Sequence, residues 1–218
     1  MNWIEKIAKL DLSKNDYSQY GESTIAKFIF ENIGVTNKYF VDIGAGGAGR
    51  NLSNTKLLTL EGWTGLSFDM DGSEGTIKEF IKPDNICHLL HKNVCPYQFD
   101  FLSVDIDSFD YDVIDEVLND FVPRVICAEF NGTLNPNIPV KLQYEDGYTW
   151  DGTNKYGFSF LAGINLFAKH GYNVILNHKE TNLFAIESSL LPDGLEYHIK
   201  AKQTLYHPVN PNAIFVNV

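Results

Sequence analysis

The chain has 218 residues, 44% of them hydrophobic, so it can bury one substantial core, and its length suits a single α/β domain. Its formal net charge of -11 opposes binding to the phosphate backbone of nucleic acids. The stretch MNWIEKIAKLDLSKND lacks the apolar core of a signal peptide, no later stretch could span a bilayer, and three cysteines without a CxxC pair fit reduced thiols. We therefore expect a cytoplasmic protein without a nucleic-acid or membrane partner.

Apolar strands and amphipathic helices are predicted to alternate along the first part of the chain. The apolar residues of Glu22 to Ile33 recur at helical spacing, which predicts a packed helix before the first strand. This alternation predicts a mostly parallel, doubly wound sheet with helices on both faces. The elements that follow are a strand over Tyr39 to Ile43, a helix over Asn54 to Glu61, a strand over Thr64 to Asp69, a strand somewhere within Gly75 to Lys82, a strand over Phe99 to Asp105, a helix over Tyr111 to Asn119 and a strand over Val125 to Phe130.

The last predicted strands form a hairpin. A helix from about Phe158 to His170, ended by Gly171, leads into strands over Tyr172 to Asn177 and Leu183 to Glu187, and their short connection allows only an antiparallel pair. A parallel sheet that ends in an antiparallel hairpin differs from a plain dinucleotide-binding fold. We expect one domain over 1–218, with a helical lead-in over 1–37, an irregular substrate-side loop over 131–156 and a C-terminal extension over 188–218.

A glycine-rich turn follows the first strand. Gly44 to Gly49 satisfies the GxGxxG pattern, in which missing side chains let the backbone turn tightly and approach a ligand. Asp69 ends the next strand, where a carboxylate can accept both ribose hydroxyls of a cofactor. NAD and S-adenosylmethionine both satisfy this geometry, and a turn that binds nothing is the alternative. Asp42 favours S-adenosylmethionine, because its ammonium and sulfonium groups attract a carboxylate that would repel the pyrophosphate of NAD.

Four aspartates lie within eight residues at the end of the strand over Phe99 to Asp105. Open α/β sheets bind their ligands at the carboxyl ends of strands, and so dense a group of charges resists burial without a counter-ion. For Asp110 and Asp112 the alternative is structural, since aspartate is favoured at a helix N-cap and in the first turn. The four residues are Asp105, Asp107, Asp110 and Asp112.

Glu129 and Asn131 end the neighbouring predicted strand, and we expect them to face the aspartates. Two or three carboxylates plus an amide predict a site for a hard cation, Mg²⁺ or Ca²⁺, with Asp105, Glu129 and Asn131 as ligands. Such a cation would lower the pKa of a substrate hydroxyl and orient its oxygen. Without metal, Asp105 or Asp107 would act as a general base. The candidate catalytic residues are Asp105, Asp107 and Glu129.

Two further patterns are weaker. Cys87, His91 and Cys95 recur at a spacing of four residues, which on a helix aligns zinc ligands, but no second ligand pair is apparent and the cysteines also fit packing roles. Aromatic residues cluster in the irregular loop, where their faces suit stacking on sugar rings or other flat substrates, and packing beneath the loop is the alternative. These aromatic residues are Tyr144, Tyr148, Trp150 and Tyr156.

Several of these stretches together resemble FkbM-like methyltransferases, in a largely uncharacterised branch, over about Ser18 to Glu187. The stretches are SQYGESTIAKFIFENIG, NKYFVDIGAG, NLSNTKLLTLEGWTGLSFDMD, DFLSVDIDSFDYDVI, PRVICAEFN and YGFSFLAGINLFAKHGYNVILNHKETNLFAI. The resemblance implies a Rossmann-like class I methyltransferase with a seven-stranded sheet, S-adenosyl-L-methionine as cofactor, and O-methylation. The candidate cofactor contacts are Asp42, Gly44, Ala45, Gly46, Asn54, Asp69 and Met70.

The chain departs from that branch at two places that bear on substrate geometry. Ser108 and Phe109 stand where Gly-Asn is expected, and Gly132 stands where proline is common. Locally, the pairing of Asp105 with Glu129 and Asn131 also resembles the metal site of catechol O-methyltransferase-type enzymes.

The leading hypothesis is methyl transfer from S-adenosylmethionine to a hydroxyl of a sugar or other small polyhydroxylated acceptor. The acceptor class comes from the resemblance alone. Two alternatives remain from the residues. An NAD-dependent oxidoreductase fits the glycine turn and Asp69, and a non-catalytic module could act through the tyrosine-rich loop.

Overall fold

The structure is a computed structural model that describes residues 2–13, 16–46, 52–72, 75–192 and 199–218. Gly47, Ala48 and Gly49 of the glycine-rich turn lie outside these residues. In the described part, the helices are α1 (Trp3–Ile7), α2 (Glu22–Ile33), α3 (Lys56–Leu60), α4 (Ile86–Lys92), α5 (Asp110–Asp120) and α6 (Phe160–Lys169). The strands are β1 (Tyr39–Ile43), β2 (Thr64–Asp69), β3 (Ile77–Lys78), β4 (Gln98–Val104), β5 (Val122–Glu129), β6 (Val140–Leu142), β7 (Tyr172–His178), β8 (Asn182–Glu187) and β9 (Phe215–Asn217).

Seven strands form one sheet in the order β3-β2-β1-β4-β5-β8-β7. The strands from β1 to β5 pair in parallel, whereas β8 runs antiparallel to both β5 and β7. The mostly parallel seven-stranded sheet and its closing hairpin are confirmed, and the architecture is that of a Rossmann-like α/β fold. No helix in the described ranges combines the length and apolarity needed to cross a bilayer.

Helices cover both faces of this sheet, as predicted. Side chains alternate between the two faces of a sheet along each strand, so Phe101 of β4 lies on one face and Leu102 lies on the other. Phe101 belongs to the cluster that includes α1, α2 and α3, with Phe30 of α2 packed edge-on against its ring. Leu102 belongs to the cluster that includes α4, α5 and α6, together with Val117 of α5.

A second, two-stranded sheet was not predicted. It pairs β6 with β9 in antiparallel fashion, Lys141 opposite Val216. Both strands have three residues, and they come from the irregular loop and the C-terminal extension, where no alternation of apolar and polar residues marks them. This pairing ties the two segments together on the same side of the molecule.

The register of the central strands decides which residues meet at the carboxyl edge of the sheet. Ile43 of β1 pairs with Val104 of β4, and Val104 pairs with Ala128 of β5. The next residues along the three strands therefore stand in one row: Gly44, Asp105 and Glu129. The N–H of Asp105 donates to the carbonyl of Ile43 at 2.9 Å, which joins β1 and β4 up to this edge.

At the opposite, amino edge a buried carboxylate ties three elements together. Asp100 of β4 is fully buried and forms an ion pair with Arg124 of β5 at 2.8 Å. Burial alone would raise the pKa of Asp100, but hydrogen bonds from Arg124 and Thr36 outweigh it and hold the pKa below its ordinary value. The backbone donors to this carboxylate are the N–H groups of Thr36, Asn37 and Lys38, which precede β1.

We expect Asp100→Ala to lower the free energy of unfolding by about 3–5 kcal/mol, because it leaves the Arg124 guanidinium of a buried ion pair without its partner. As the control, Glu61→Ala removes an exposed ion pair with Lys27 and should cost less than about 1 kcal/mol. Urea unfolding near neutral pH measures both.

The same comparison repeated in acid tests the electrostatic origin of the effect. Because the pKa of Asp100 is depressed in the folded state, its contribution is present above the unfolded pKa of about 3.9 and is lost as the pH falls through the folded pKa. The difference between the wild type and Asp100→Ala should therefore shrink in acid. A difference that stays constant down to the acid-unfolding limit would contradict the electrostatic account.

Candidate active site

A cavity of about 780 Å³ runs along the carboxyl edge of the sheet. This is the edge at which open α/β sheets place their ligands, and the volume falls in the range of small-molecule sites. One part of its wall comes from the ends of β1 and β2 and includes Gly44, Gly46, Asn54, Asp69 and Met70. The other part includes Asp105, Asp107, Glu129, Tyr148, Trp150, Tyr156 and His207.

Gly44 and Gly46, which follow β1, line this cavity. A larger residue at either position would clash with the protein backbone. Gly44 has φ of 80°, and a Cβ there would lie 1.6 Å from the carbonyl oxygen of Asp105. A Cβ at Gly46 would lie 2.6 Å from the carbonyl oxygen of Leu52. Ala45 is fully buried, and its N–H donates to the carbonyl of Phe68, as does the N–H of Gly44. The turn is therefore packed tightly against β2 and β4.

Asp42 lies near the end of β1, as predicted, but it is buried and is not among the described residues that line the cavity. Its side chain is 1% exposed, and its Oδ2 accepts hydrogen bonds from Ser53 Oγ at 3.0 Å and Thr55 Oγ1 at 2.6 Å. These contacts hold the segment that presents Asn54 to the cavity, where Asn54 Nδ2 donates to Ser103 Oγ. The geometry therefore gives Asp42 a positioning role through Asn54, and does not support the direct attraction of a cofactor cation by Asp42.

The charge of the cavity wall bears on which ligands the cavity can hold. Among the described residues that line the cavity there are five carboxylates and neither Lys nor Arg. Such a wall attracts a cationic ligand and repels a pyrophosphate. The five carboxylates are Asp69, Glu79, Asp105, Asp107 and Glu129.

Asp69 and Met70 lie where the sequence predicted them, at the end of β2 on the cavity wall. Asp69 Oδ1 accepts the N–H of Asp71 at 3.0 Å, which orients the carboxylate. Met70 is 58% exposed, and Phe80 and Ile81 line the same region. This part of the wall thus combines two carboxylates, Asp69 and Glu79, with apolar side chains, a composition that suits a ribose and its attached base.

Three acidic side chains converge where β4 and β5 end, and we call Asp105, Asp107 and Glu129 the carboxylate trio. One potential ligand atom from each lies within 4.8 Å of the other two. Sheet register brings Asp105 beside Glu129. Asp107 has φ of 53°, a left-handed conformation that aspartate adopts more readily than most residues. Asp110 fixes the loop between them, since its carboxylate accepts the N–H groups of Ile106 and Ser108.

Asp110 and Asp112 both lie in the first turn of α5, one of the two structural alternatives for them, whereas the N-cap residue of this helix is Phe109. Asp110 is fully buried at the start of α5, and burial raises its pKa to about 6 although the two backbone N–H groups oppose the rise. Asp112 pairs with Lys141 of β6.

Burial and mutual repulsion raise the pKa values of the trio. For Glu129, 8% exposed, burial is the main cause and the charges of Asp105 and Asp107 add to it, so its pKa lies well above the ordinary range. The pKa of Asp105 is likewise raised well above its ordinary value, first by burial and then by Asp107. Burial also raises the pKa of Asp107, and His207 partly opposes that rise.

Asn131 does not join this group, contrary to the prediction of a metal ligand there. It is fully buried, and its Nδ2 donates to the carbonyls of Asn154 and Tyr156. Its Oδ1 accepts from both the N–H and the hydroxyl of Thr133. All the hydrogen-bonding capacity of the amide is used to fix the loop, because the chain turns inward after β5. Asp107 takes the third place instead.

Aromatic rings form the wall opposite the trio, and the C-terminal extension contributes to it. Trp150 packs against His207 with ring centroids 5.1 Å apart, and Tyr156 packs against His207 at 5.7 Å. Of the predicted aromatic residues, Tyr148, Trp150 and Tyr156 line the cavity, whereas Tyr144 packs on Phe109. Sequence reasoning missed His207, because it lies far along the chain from the other site residues in a segment without periodic pattern.

Hydrogen bonds hold the C-terminal extension over the irregular loop. Asn154 donates its N–H to the carbonyl of Pro208, and Thr204 donates its N–H to the carbonyl of Gly132. A Cβ at Gly132 would lie 2.2 Å from the carbonyl oxygen of Glu180, which explains why this chain has glycine rather than proline after Asn131. Gly132 thus lies where the irregular loop and the C-terminal extension are hydrogen-bonded to each other.

The zinc alternative is not supported. His91 pairs with Asp120 at 2.6 Å, and burial raises the pKa of Cys87 to about 11 and that of Cys95 to about 12, which disfavours the thiolates that zinc requires. Across the described ranges, the trio is the one group of three or more His, Cys, Asp or Glu side chains with ligand atoms this close together.

No protein-family model matches the chain, and no curated protein matches it.

The close contact between Gly44 and Asp105 predicts how much a side chain at position 44 would lower the free energy of unfolding. Gly62 provides the control, because its φ of 82° resembles that of Gly44 but nothing lies within 4 Å of the position a Cβ would take. We expect Gly62→Ala to cost about 1–2 kcal/mol for the left-handed backbone alone. Gly44→Ala should cost about 1–3 kcal/mol more, because the new methyl group overlaps a backbone carbonyl. Equal losses in urea unfolding would contradict the close packing of β1 on β4.

Proposed function

We propose that the protein is an S-adenosylmethionine-dependent methyltransferase that acts on a hydroxyl group of a small or glycan acceptor. The observation that carries this proposal is the cavity at the carboxyl edge of a Rossmann-like sheet, with five carboxylates and no Lys or Arg among its described lining residues. An FkbM-like relationship is part of the proposal and rests on the motifs of the sequence.

The wall near β1 and β2 fits this cofactor. Asp69 would accept the two ribose hydroxyls, and Met70, Phe80 and Ile81 would offer apolar contact to a base. Asn54 supplies an amide at the same wall. When bound, S-adenosylmethionine supplies an electrophilic methyl group on a positively charged sulfur, and the acidic wall stabilises that charge.

The trio would remove the proton of the acceptor hydroxyl. As the new oxygen–carbon bond forms and the sulfur–carbon bond breaks, the hydroxyl proton passes to a carboxylate of the trio. Burial raises the pKa of Asp107, and a carboxylate with a raised pKa is a stronger base than an ordinary one as long as it is ionised. Asp107 is the best placed of the three, because it is partly exposed and lies on the loop nearest His207.

The aromatic wall bears on the acceptor. Trp150 is 38% exposed, so part of its ring is accessible, and aromatic faces stack on sugar rings and other flat groups. Burial raises the pKa of Tyr156, which keeps its phenol protonated and available as a hydrogen-bond donor. A sugar or another small polyhydroxylated compound is therefore the proposed acceptor.

Calorimetry with both cofactors tests the cofactor assignment. We expect S-adenosylmethionine to bind with a micromolar dissociation constant, and Asp69→Asn to weaken it by about 10- to 100-fold, because hydrogen bonds to a charged group are lost. Asp84→Asn alters a carboxylate that does not line the cavity and should leave the constant unchanged. Tight binding of NAD with no heat from S-adenosylmethionine would favour the oxidoreductase alternative instead.

Transfer of a labelled methyl group from S-adenosylmethionine to a panel of glycans and small hydroxylated metabolites tests the reaction. We expect at least one hydroxylated acceptor to be labelled, and Asp107→Asn to lower the turnover number by about 10²- to 10⁴-fold, the usual contribution of a general base. Binding of S-adenosylmethionine should change little in this variant. Cofactor binding without transfer to any member of the panel would favour the non-catalytic module.

A further inference from the structure

The trio concentrates negative charge that the described part of the cavity does not neutralise. One carboxylate oxygen from each of Asp105, Asp107 and Glu129 lies within 4.8 Å of the other two. The only basic side chain among the described lining residues is His207, which acts on Asp107. Three carboxylates this close are stable together only if they hold protons or a cation.

An independent observation at Glu129 points to a ligand for its carboxylate. The residue is 8% exposed and lines the cavity, yet its Oε2 is buried without a hydrogen-bond partner. Buried carboxylate oxygens almost always have partners, and an unsatisfied one calls for an explanation such as an ion. The fully buried carboxylate of Asp100, by contrast, accepts hydrogen bonds at both of its oxygens.

We propose that the carboxylate trio is a binding site for a hard divalent cation, Mg²⁺ or Ca²⁺, with one oxygen from each of Asp105, Asp107 and Glu129. Oxygens on opposite sides of Ca²⁺ stand about 4.6–5.2 Å apart and adjacent ones stand closer, so three ligand atoms within 4.8 Å of one another fit such a shell. Mg²⁺ has a smaller shell and would draw the three carboxylates closer together. All-oxygen ligands exclude the softer metals that prefer sulfur.

The trio supplies three oxygen ligands, and these cations take about six to eight, so coordination positions are left for a second ligand. Asp105 and Asp107 are partly exposed to the cavity that Trp150 and Tyr156 also line. Neighbouring hydroxyl oxygens of a polyhydroxylated compound would complete the cation's shell on that side. The bound cation would then lower the pKa of such a hydroxyl, and the carboxylates would act as proton acceptors only in its absence. This last step rests on the proposed methyl transfer, whereas the binding of the cation does not.

The test uses the whole chain without S-adenosylmethionine. After treatment with a chelator and buffer exchange, thermal unfolding is followed in MgCl₂, CaCl₂ and NaCl at matched ionic strength. We expect Mg²⁺ or Ca²⁺ to raise the melting temperature by about 5 °C or more at 100 times the dissociation constant, and NaCl to have no comparable effect. The larger of the two divalent shifts identifies the preferred ion.

Two variants locate the ion. Asp107→Asn retains the shape of the side chain, and asparagine tolerates the left-handed φ of 53° as aspartate does, so this variant should fold. Asp107→Asn and Glu129→Gln should each raise at least tenfold the cation concentration that gives half of the thermal shift. The control Asp84→Asn should leave this concentration unchanged. Terbium luminescence excited through the aromatic residues gives a second readout, which should be bright in the wild type, displaced by Ca²⁺ and dim in Asp107→Asn.

The outcomes separate this inference from the proposed function. Absence of both a divalent-specific thermal shift and terbium luminescence would overturn the cation site, whether or not S-adenosylmethionine binds. Equal shifts in the wild type, Asp107→Asn and Glu129→Gln would place the cation elsewhere and overturn it too. A shift that the two variants abolish would support the site even if no methyl transfer were found.

Discussion

The carboxyl edge of the sheet depends on how closely β1 approaches β4. The carbonyl oxygen of Asp105 occupies space that any side chain at Gly44 would need, and the register continues from there to Glu129 on β5. Because parallel strands end at the same edge, this row places the acidic residue that follows β4 directly beside the acidic last residue of β5. The cavity, the trio and the acidic character of the wall all follow from that alignment.

The position of Asp105 and Glu129 could be predicted from the sequence, because strand ends are marked by the change from apolar residues to aspartate and glutamate. The closing hairpin was also accessible, since the connection through Lys179 to Thr181 is too short for a parallel crossover, whereas the order of the strands in the sheet was not predicted. Local periodicity and connection length carry this information. The main elements of the fold were therefore predicted with small shifts at their ends.

The parts that could not be predicted depend on contacts between distant segments. The direction of Asp42 is decided by Ser53 and Thr55, which the sequence does not mark as its partners. The amide of Asn131 is used by the loop that follows it, and His207 reaches the cavity only because β9 pairs with β6. Sequence patterns report the face and the end of an element, but not the partner that a side chain finds across the fold.

These differences move the argument for the cofactor from a single carboxylate to the electrostatics of a whole wall. A direct measurement is a crystal structure of the protein with S-adenosylhomocysteine. The account predicts density for this compound in the cavity, with its ribose hydroxyls hydrogen-bonded to Asp69 and its sulfur on the side of Asp105 and Glu129. An empty cavity at saturating concentration, or a ribose bound away from Asp69, would contradict it.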